Sequence, residues 1–469
     1  MKILEINKFN FAKGGADKHF LDIIRLLEKN GHKVAVFSME HEKNLPSPWK
    51  KYFVSKVGYT GEYSFWQKIK GAARMFYSFE AKRKINGLLD EFQPDIVHIH
   101  NIYHQLSPAI LFEIKKRNIP IVMTVHDFKI ICPNHSLYHN GKIYDRCKNG
   151  KYYQCLLDKC VKNSYAKSFL AMAEMYWHNC LLKTYKKNVD LYIAPSRFAK
   201  NVLEEWGIAP EKIKVLPHFI ADNNNTVFQY TVLEKSNKDN QENEQENEQE
   251  NEQVNKQVKV LPHFIADNNN TVFQYTVLEK SNKDEQENKR EKYRRKKYGD
   301  YSGNYALYIG RISKNKGVDI LINIFKNLKS VKLYLCGEIE DGIDLEKSEN
   351  IKYLGFLNQA EIQDYLKKAR FIVSGSKLPE TFGLIALETI AQGKPFIGFR
   401  SGAYGEIIKG GVNGFLAKDE KEMEKIIKKI IRGKIVFNSR EIKKTAFRKY
   451  NQDAYGKTFL TYLAFIATL

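Results

Sequence analysis

The sequence lacks several features that would have identified common classes of protein. It has no apolar run of about 18 residues, so it predicts no membrane-spanning helix. The N-terminal segment Met1–Ile6 becomes acidic at Glu5, too early for a signal peptide, and is interpreted as a buried strand. Only 6 of the 469 residues are cysteine, which excludes a disulfide scaffold and favours a reducing cytoplasm. No basic element interleaved with stacking aromatics is present, so we expect no nucleic-acid partner.

Positive charge is plentiful and unevenly distributed. The chain carries 76 Lys+Arg and 54 Asp+Glu, a formal net charge of +22. Residues 1–213 contribute +14, residues 214–258 contribute −5, and residues 291–469 contribute +13. The 43% of hydrophobic residues excludes wholesale disorder. Two basic globular parts therefore flank an acidic middle, and they require an acidic partner such as a phosphorylated small molecule or an anionic lipid.

Short β-branched segments alternate with amphipathic segments in both basic parts, which predicts right-handed βαβ units and parallel sheets. The fold class is therefore α/β, with two Rossmann-like doubly wound domains facing across a cleft at the carboxyl ends of their strands. The predicted strands are Ile3–Ile6, Val34–Ser38, Ile96–His100, Ile121–Val125, Leu191–Ala194, Tyr305–Gly310, Lys332–Gly337, Ile351–Leu354, Arg370–Ser374 and Pro395–Phe399.

The middle of the chain contains an unchanged duplication. The segment Lys214–Asp239 recurs as Lys259–Asp284, and an Asn/Gln/Glu tract, Asn240–Gln257, separates the two copies. Two identical copies are too few for a solenoid, and only one can occupy a single strand position. We expect the other copy and the tract to form a solvated insertion between the domains. The sequence leaves open which copy is the structural one.

The strongest chemical signal is the segment Pro379–Glu388, in which Glu380 and Glu388 stand eight residues apart around Gly383. Gly383 and Leu384 lie at a predicted loop-to-helix junction, where backbone amides favour anions. A carboxylate accepts two hydrogen bonds and suits the vicinal hydroxyls of a hexose or a ribose. The order sugar, diphosphate, ribose is that of a nucleotide-sugar. The alternative interpretation is one surface glutamate and one on a helix face.

Three further segments carry polar groups at predicted strand ends. Arg311 and Lys316 follow a strand, and two fixed cations there can neutralise a leaving diphosphate in place of a metal ion. Gly14 and Gly15 open a helix after the first strand, where paired glycines allow close backbone approach. His126 ends another strand. Solvated turn lysines, a plain connector and a structural histidine are the alternative interpretations.

These segments together resemble glycosyltransferase family 4, the retaining GT-B enzymes with an E-x7-E motif, of bacterial polysaccharide type. The resemblance implies catalytic roles for His126, Arg311, Lys316 and Glu380. It implies an acceptor domain at 1–210, an inter-domain segment at 211–290, a donor domain at 291–446 and a C-terminal helix, 447–469, that returns to the first domain. The implied donor-binding residues are Gly14, Gly15, Arg311, Lys316, Glu380, Phe382, Gly383, Leu384 and Glu388.

The resemblance predicts a metal-independent transferase that moves a hexose, with retention, from a UDP- or GDP-linked donor to a glycan or polyprenyl-diphosphate-linked acceptor. No D-x-D metal motif appears, and no cofactor is required. We expect it to be cytoplasmic, at the inner face of the cell membrane. The alternatives are a GT-B epimerase or phosphorylase, or an inactive basic binding protein.

Two weaker patterns concern metal and membrane. Cys132, Cys147, Cys155 and Cys160 form a cluster that predicts a structural zinc site, with His135 and His139 as substitute ligands and buried free cysteines as the alternative. The stretch Phe65–Lys84 mixes aromatics with basic residues, which predicts peripheral contact with an anionic membrane. A helix that packs on the core and exposes a basic face is the alternative. The basic residues of this stretch are Lys68, Lys70, Arg74, Lys82, Arg83 and Lys84.

Overall fold

The computed structural model describes residues 1–56, 65–221, 303–340, 343, 345 and 348–468, with backbone only for 65–70. Residues 1–222 and 302–469 form one compact unit. Within the described ranges, no helix is long and apolar enough to cross a membrane.

The first domain is built on a six-stranded parallel sheet in the order β2-β1-β3-β4-β7-β8. Its strands are nearly all buried because helices cover both faces, as in other doubly wound sheets. The strands are β1 (Lys2–Ile6), β2 (Lys33–Phe37), β3 (Ile96–Ile99), β4 (Ile121–Thr124), β7 (Leu191–Ala194) and β8 (Ile213–Val215). The helices are α1 (Gly15–Lys29), α2 (Phe65–Phe76), α3 (Phe79–Phe92), α4 (Tyr103–Leu106), α5 (Ile110–Lys115), α6 (Tyr153–Leu157), α7 (Tyr165–Met175), α8 (Thr184–Asn188) and α9 (Arg197–Glu205).

Between β4 and β7 the chain forms a helical insertion with a small core of its own. A two-stranded hairpin, β5 (Tyr138–His139) and β6 (Lys142–Ile143), precedes α6. Helix α7 continues into a π-helical segment, Tyr176–Leu181. The core of the insertion contains Tyr144, Cys147, Tyr152, Cys155, Cys160 and Met175.

The second domain repeats the architecture with a six-stranded parallel sheet in the order β11-β10-β9-β12-β13-β14. Its strands are β9 (Tyr305–Ile309), β10 (Lys332–Cys336), β11 (Ile351–Gly355), β12 (Phe371–Val373), β13 (Phe396–Phe399) and β14 (Gly414–Ala417). Its helices are α10 (Val318–Lys326), α11 (Gln359–Lys368), α12 (Leu384–Ala391), α13 (Tyr404–Ile407), α14 (Glu420–Ile431) and α15 (Ser439–Lys449).

The last helix, α16 (Gln452–Ala467), packs against the first domain, which confirms the predicted GT-B architecture. Its buried residues Phe459 and Leu463 join a cluster with Ile3 and Ile96 of the first sheet. The predicted boundary at 446/447 falls inside α15, because the helix ends only at Lys449 and the next begins after the Asn451 cap. The side chain of Asn451 accepts from the amide of Ala454 and fixes that start.

The first copy of the duplicated segment supplies β8. Ile213–Val215 pairs with β7, and the ladder ends before Pro217, which has no N–H to donate. Beyond the strand, Leu216 and Phe219 are buried against α16. The first copy therefore completes the first sheet. The second copy and the Asn/Gln/Glu tract lie outside the described residues.

Candidate functional site

The E-x7-E segment lies where the two domains meet. Gly383 caps α12 with φ = +100°, and a Cβ there would lie 2.4 Å from the Tyr404 ring, so only glycine fits. The hydroxyl of Thr381 donates to the His126 carbonyl at 2.8 Å, and Ser196 Oγ donates to the Thr381 carbonyl at 2.6 Å. The loop between the two glutamates is therefore held by hydrogen bonds from the first domain.

Glu380 and Lys316, both predicted site residues, form an ion pair. Lys316 Nζ donates to Glu380 Oε1 at 2.6 Å, and each side chain is about one quarter exposed, at 24% and 25%. The turn that carries Lys316 ends at Gly317, where φ is +65° and a Cβ would lie 1.9 Å from the Gly375 carbonyl oxygen. This close contact between the loops after β9 and β12 brings the ammonium group to the carboxylate.

Arg311 occupies a more open position than Lys316. Its guanidinium pairs with Glu340 at 2.5 Å, and 57% of its side chain is exposed. The Tyr308 hydroxyl donates to the Arg311 carbonyl at 2.6 Å and fixes the backbone of the turn. The two predicted diphosphate cations thus lie five residues apart with different carboxylate partners.

Glu388 makes a contact across the cleft that the sequence did not predict. Its carboxylate pairs with Lys18 of α1, and both side chains are about three quarters buried. Burial opposes the charge of Lys18, but Glu388 and Asp22 raise the pKa of its ammonium group above the ordinary value. Lys18 lies one turn after Gly14, yet no local pattern links it to a carboxylate 370 residues away.

The predicted Gly14–Gly15 loop faces the same junction. The Gly14 amide donates to Asp17 Oδ2 at 3.1 Å, which closes the first turn of α1. A Cβ on Gly15 would lie 2.8 Å from Leu384 Cδ1, so the absence of a side chain lets the starts of α1 and α12 approach closely. Two helix N-termini therefore converge beside the Glu380–Lys316 pair, and both favour an anion there.

His126 belongs to a cluster of buried histidines. Its Nε2 lies 2.8 Å from His100 Nδ1, and its ring stacks on His218 at 5.4 Å between centroids. The His19 and His218 rings lie 3.9 Å apart, and the predicted residue Phe382 packs on His218 at 4.9 Å. Burial, with the neighbouring histidines, lowers the pKa of His19, His100 and His126 well below the ordinary value, and burial lowers that of His218 to about 3.

Two of the four cysteines of the predicted zinc site are paired with each other in the structure. Cys155 is bonded to Cys160, so the one closely spaced pair has no free thiolate to offer. Cys132 donates to Asn134, and burial raises the pKa of its thiol to about 12 and that of Cys147 to about 11. The substitutes His135 and His139 do not complete a set. Among the described residues, Glu5, His98 and His100 alone group at ligand spacing, and hydrogen bonds already join them.

Among the described side chains of the predicted membrane-contacting stretch, Arg83 is exposed, whereas three other basic residues meet protein acceptors. Arg74 is buried and pairs with Glu80, Lys82 lies 3.5 Å from Glu113, and Lys84 donates to the Phe53 carbonyl. These charges hold α2 and α3 onto the domain because each finds a protein acceptor. The side chains of Lys68 and Lys70 lie outside the described residues.

Comparisons with known proteins agree with this geometry. The family described as "Glycosyltransferase Family 4" matches residues 13–223, and "Glycosyl transferases group 1" matches residues 289–450. An uncharacterized glycosyltransferase of Methanocaldococcus jannaschii is 36% identical over 157 residues, 31% of this chain and 41% of the relative. The lipopolysaccharide 1,2-N-acetylglucosaminetransferase of Salmonella typhimurium is 25% identical over 175 residues, 33% of this chain and 46% of the relative.

The chain thus spans less than half the length of these two curated relatives. Among solved structures, Anabaena Alr3699/HepE in complex with UDP and glucose superposes with a TM-score of 0.57 at 16% identity, covering 99% of both chains. At 16% identity, this similarity is evidence for the fold alone. With both domains matched in order by family profiles, the chain belongs to the family 4 glycosyltransferases of the GT-B fold.

Proposed function

We propose that this protein transfers a hexose from a nucleotide-sugar to a hydroxyl of a glycan or lipid-linked glycan, with retention at the anomeric carbon and without a metal ion. One observation carries the proposal: the Glu380–Lys316 pair lies where the starts of α1 and α12 converge. A carboxylate for sugar hydroxyls and three sources of positive potential for a diphosphate are thereby brought together.

The chemistry assigned to this site is the departure of a nucleoside diphosphate. The bond between C1 and the phosphate oxygen breaks, and a new bond forms between C1 and the acceptor oxygen. The acceptor proton passes to the departing phosphate oxygen, so no enzyme nucleophile is required. Lys316, Arg311 and the α12 N-terminus stabilise the negative charge that develops on the leaving group.

The two glutamates hold the ends of the donor. Glu380 accepts from the hexose hydroxyls, and Glu388 accepts from the ribose hydroxyls, as the family resemblance implies. In the structure each carboxylate has a lysine partner, Lys316 for Glu380 and Lys18 for Glu388. A bound diphosphate gives Lys316 a second anionic partner and frees a lone pair of Glu380 for the sugar.

The donor is proposed to be linked to UDP or GDP. The Anabaena structure was solved with UDP and glucose, and the Salmonella relative is named as an N-acetylglucosaminetransferase of lipopolysaccharide. The first supports a nucleotide-sugar donor for this chain, and the second supports a cell-surface glycan acceptor.

A donor panel tests the proposal. The full-length protein is incubated with UDP- and GDP-sugars, with and without lipid-linked acceptor, and release of nucleoside diphosphate is measured in buffer containing EDTA. We expect release with at least one donor and its loss in Glu380→Ala. Glu420→Ala is the matched control, because Glu420 also pairs with a lysine, Lys377, but on the surface. Wild-type turnover by Glu380→Ala would remove Glu380 from the site.

A membrane-bound acceptor is proposed because the helical insertion exposes an apolar stripe. Tyr165, Phe169, Trp177 and Leu181 recur at multiples of four along α7 and its π-helical extension, and Phe169 and Leu181 are 55% and 65% exposed. The opposite face buries Ser168, Ala171 and Met175. Exposed lysines flank the stripe at Lys162, Lys167 and Lys183.

Aromatic and aliphatic side chains edged by lysines fit an anionic membrane surface, which supports the proposed location at the cytoplasmic face of the cell membrane. Co-sedimentation with vesicles of phosphatidylglycerol and phosphatidylcholine tests this surface. We expect binding that falls about tenfold or more in Phe169→Ser/Leu181→Ser and with added salt. The matched control Val436→Ser removes an apolar side chain that is 81% exposed elsewhere. Equal binding by all three proteins would contradict the assignment.

A further inference from the structure

A continuous hydrogen-bonded chain runs from Glu5 to His126. The Glu5 carboxylate on β1 lies 3.1 Å from His100 Nε2, and His100 Nδ1 lies 2.8 Å from His126 Nε2. Glu5 and His100 are fully buried, whereas His126 is half-buried at the cleft. His126, the site histidine predicted from the sequence, is thus the cleft end of a hydrogen-bonded chain that begins at Glu5 on β1.

Burial makes both histidines of this chain neutral. It lowers the pKa of His100 and of His126 well below the ordinary value, and His98, His19 and His218 add to the effect. A neutral imidazole carries one N–H and one bare nitrogen, so each ring must adopt one of two tautomers. Which tautomer forms is decided by the hydrogen bond that the other nitrogen makes.

The Glu5 carboxylate determines which atom is the donor in each hydrogen bond of this chain. Burial raises the pKa of Glu5, and the charge and hydrogen bond of His98 lower it in part. Each Glu5 oxygen faces a ring nitrogen, His98 Nδ1 at 2.9 Å and His100 Nε2 at 3.1 Å, which is the geometry of a carboxylate that accepts from two N–H groups. Because an ionised carboxylate only accepts, His100 must carry its proton on Nε2. Its bare Nδ1 then accepts from His126 Nε2–H, and Nδ1 of His126 is left without a proton.

We infer that Glu5 and His100 are positioning residues that hold His126 in its Nε2–H tautomer, so that its Nδ1 is a hydrogen-bond acceptor for a hydroxyl of the donor sugar. The statement that a sugar hydroxyl bonds to His126 Nδ1 rests on the proposed function, whereas the tautomer of His126 does not. An acceptor at this position selects a hydroxyl over an ether or carbonyl oxygen and contributes no charge. His126 would therefore orient the sugar without competing with Lys316 for the diphosphate.

His98 offers a matched control because it binds the same carboxylate without leading to the cleft. Its Nδ1 lies 2.9 Å from Glu5 Oε1, and its Nε2 lies 2.8 Å from Thr124 Oγ1. Both histidines are fully buried and both donate to Glu5, yet only His100 contacts His126. A difference between the His98 and His100 variants therefore measures the effect of the Glu5–His100–His126 chain. It does not merely reflect the loss of a buried imidazole ring.

The direct test is the tautomer of His126 in the full chain, read from long-range ¹H–¹⁵N correlations of ¹⁵N-histidine-labelled protein at neutral pH. We expect the Nε2–H form in the wild type. The amide oxygen of His100→Asn replaces Nδ1 as an acceptor and should preserve that form, whereas His100→Gln removes the acceptor and should abolish it. His98→Asn keeps an N–H donor to Glu5 in its side-chain amide, so Glu5 remains an acceptor and the tautomer of His126 should be unchanged. An Nδ1–H form or a charged His126 in the wild type would overturn the inference.

Turnover gives the second readout. We expect His100→Gln to lower kcat/KM for the donor at least about tenfold, with His100→Asn and His98→Asn closer to wild type. Equal losses in all three would overturn the positioning role and leave only a structural one. Thermal unfolding identifies any variant that fails to fold, in which case the wild-type spectrum alone decides. The spectrum can be recorded without turnover. Absence of activity with every donor would therefore contradict the proposed function but would leave the inferred tautomer of His126 unaffected.

Discussion

The two sides of the cleft are built from different chemistry. All 12 histidines of the chain lie at or before His263, and residues 291–469 contain none. The first domain therefore presents neutral imidazoles that bond and stack with one another, the buried His19, His100 and His218 and the half-buried His126. The second domain presents half-buried charges, the Lys316–Glu380 and Arg311–Glu340 pairs.

This difference fits the two parts of the proposed nucleotide-sugar donor. Neutral rings can exchange hydrogen bonds with a sugar hydroxyl and place no charge near an anomeric carbon that becomes positive. Flexible lysine and arginine side chains, whose heads remain partly hydrated, can exchange a carboxylate for a diphosphate at low cost. Each side is therefore suited to one half of the ligand, and three changes test that division.

The largest effect is expected from Lys316→Ala, which removes the central charge of the second domain. Loss of one preorganised group that stabilises a leaving anion costs about 10²–10³ in kcat. The measurement is nucleoside diphosphate release at saturating donor. Lys377→Ala is the control, since Lys377 pairs with Glu420 on the surface and should keep wild-type turnover. If Lys316→Ala retained wild-type kcat, the charged groups of the second domain would not stabilise the leaving group.

An intermediate effect is expected from acid, and it should originate in the first domain. The pKa of His218 is about 3 when folded against an ordinary 6.5, so between these values the unfolded chain binds a proton that the folded chain does not. Above pH 6.5 the contribution of neutral, buried His218 to the free energy of unfolding has its full value. It falls by about 1.4 kcal/mol for each pH unit below that, until the folded pKa is reached.

Urea unfolding between pH 4 and pH 7.5 measures this slope. We expect His218→Asn to make it shallower by about 1.4 kcal/mol per pH unit. His263→Asn changes the corresponding residue of the second repeat copy and should leave the slope unchanged, because His218 already fills the place beside His19. Identical slopes for wild type and His218→Asn would show that the buried histidines are not what acid disrupts.

The smallest effect is expected where the two sides touch. In Gly15→Val the new side chain meets Leu384, whose Cδ1 would lie 2.8 Å from the added Cβ, so the Leu384 side chain must shift at the start of α12. We expect donor binding to weaken about tenfold, with little change in thermal stability, because only the end of a flexible side chain is displaced. Gly14→Ala is the control, since the nearest atom to its Cβ is 3.8 Å away. Calorimetric titration with UDP and GDP compares the two, and equal affinities would exclude a role for this contact.

Local pattern was sufficient to predict the scaffold. The ten predicted strands all appear within one or two residues of their expected bounds, because burial on both faces of a parallel sheet leaves unbroken β-branched runs in the sequence. Strand β8 was predicted only as the strand position that one repeat copy occupies, and β14 was not predicted; both are short and half-buried at sheet edges. The zinc site and the membrane contact of the Phe65–Lys84 stretch stay predictions for a common reason. Cysteine spacing and basic composition do not record which side chain each group meets.

What the sequence by itself determined is the alternation of elements, the E-x7-E motif and the residues at the strand ends, since each is a property of neighbours along the chain. Only the tertiary structure decided the partners. Lys18 meets Glu388 across 370 residues, Glu5 meets His100 across 95, and the first repeat copy, not an identical later one, completes the sheet. Such contacts depend on how two sheets and a returning helix pack, and packing brings together groups that no local period connects.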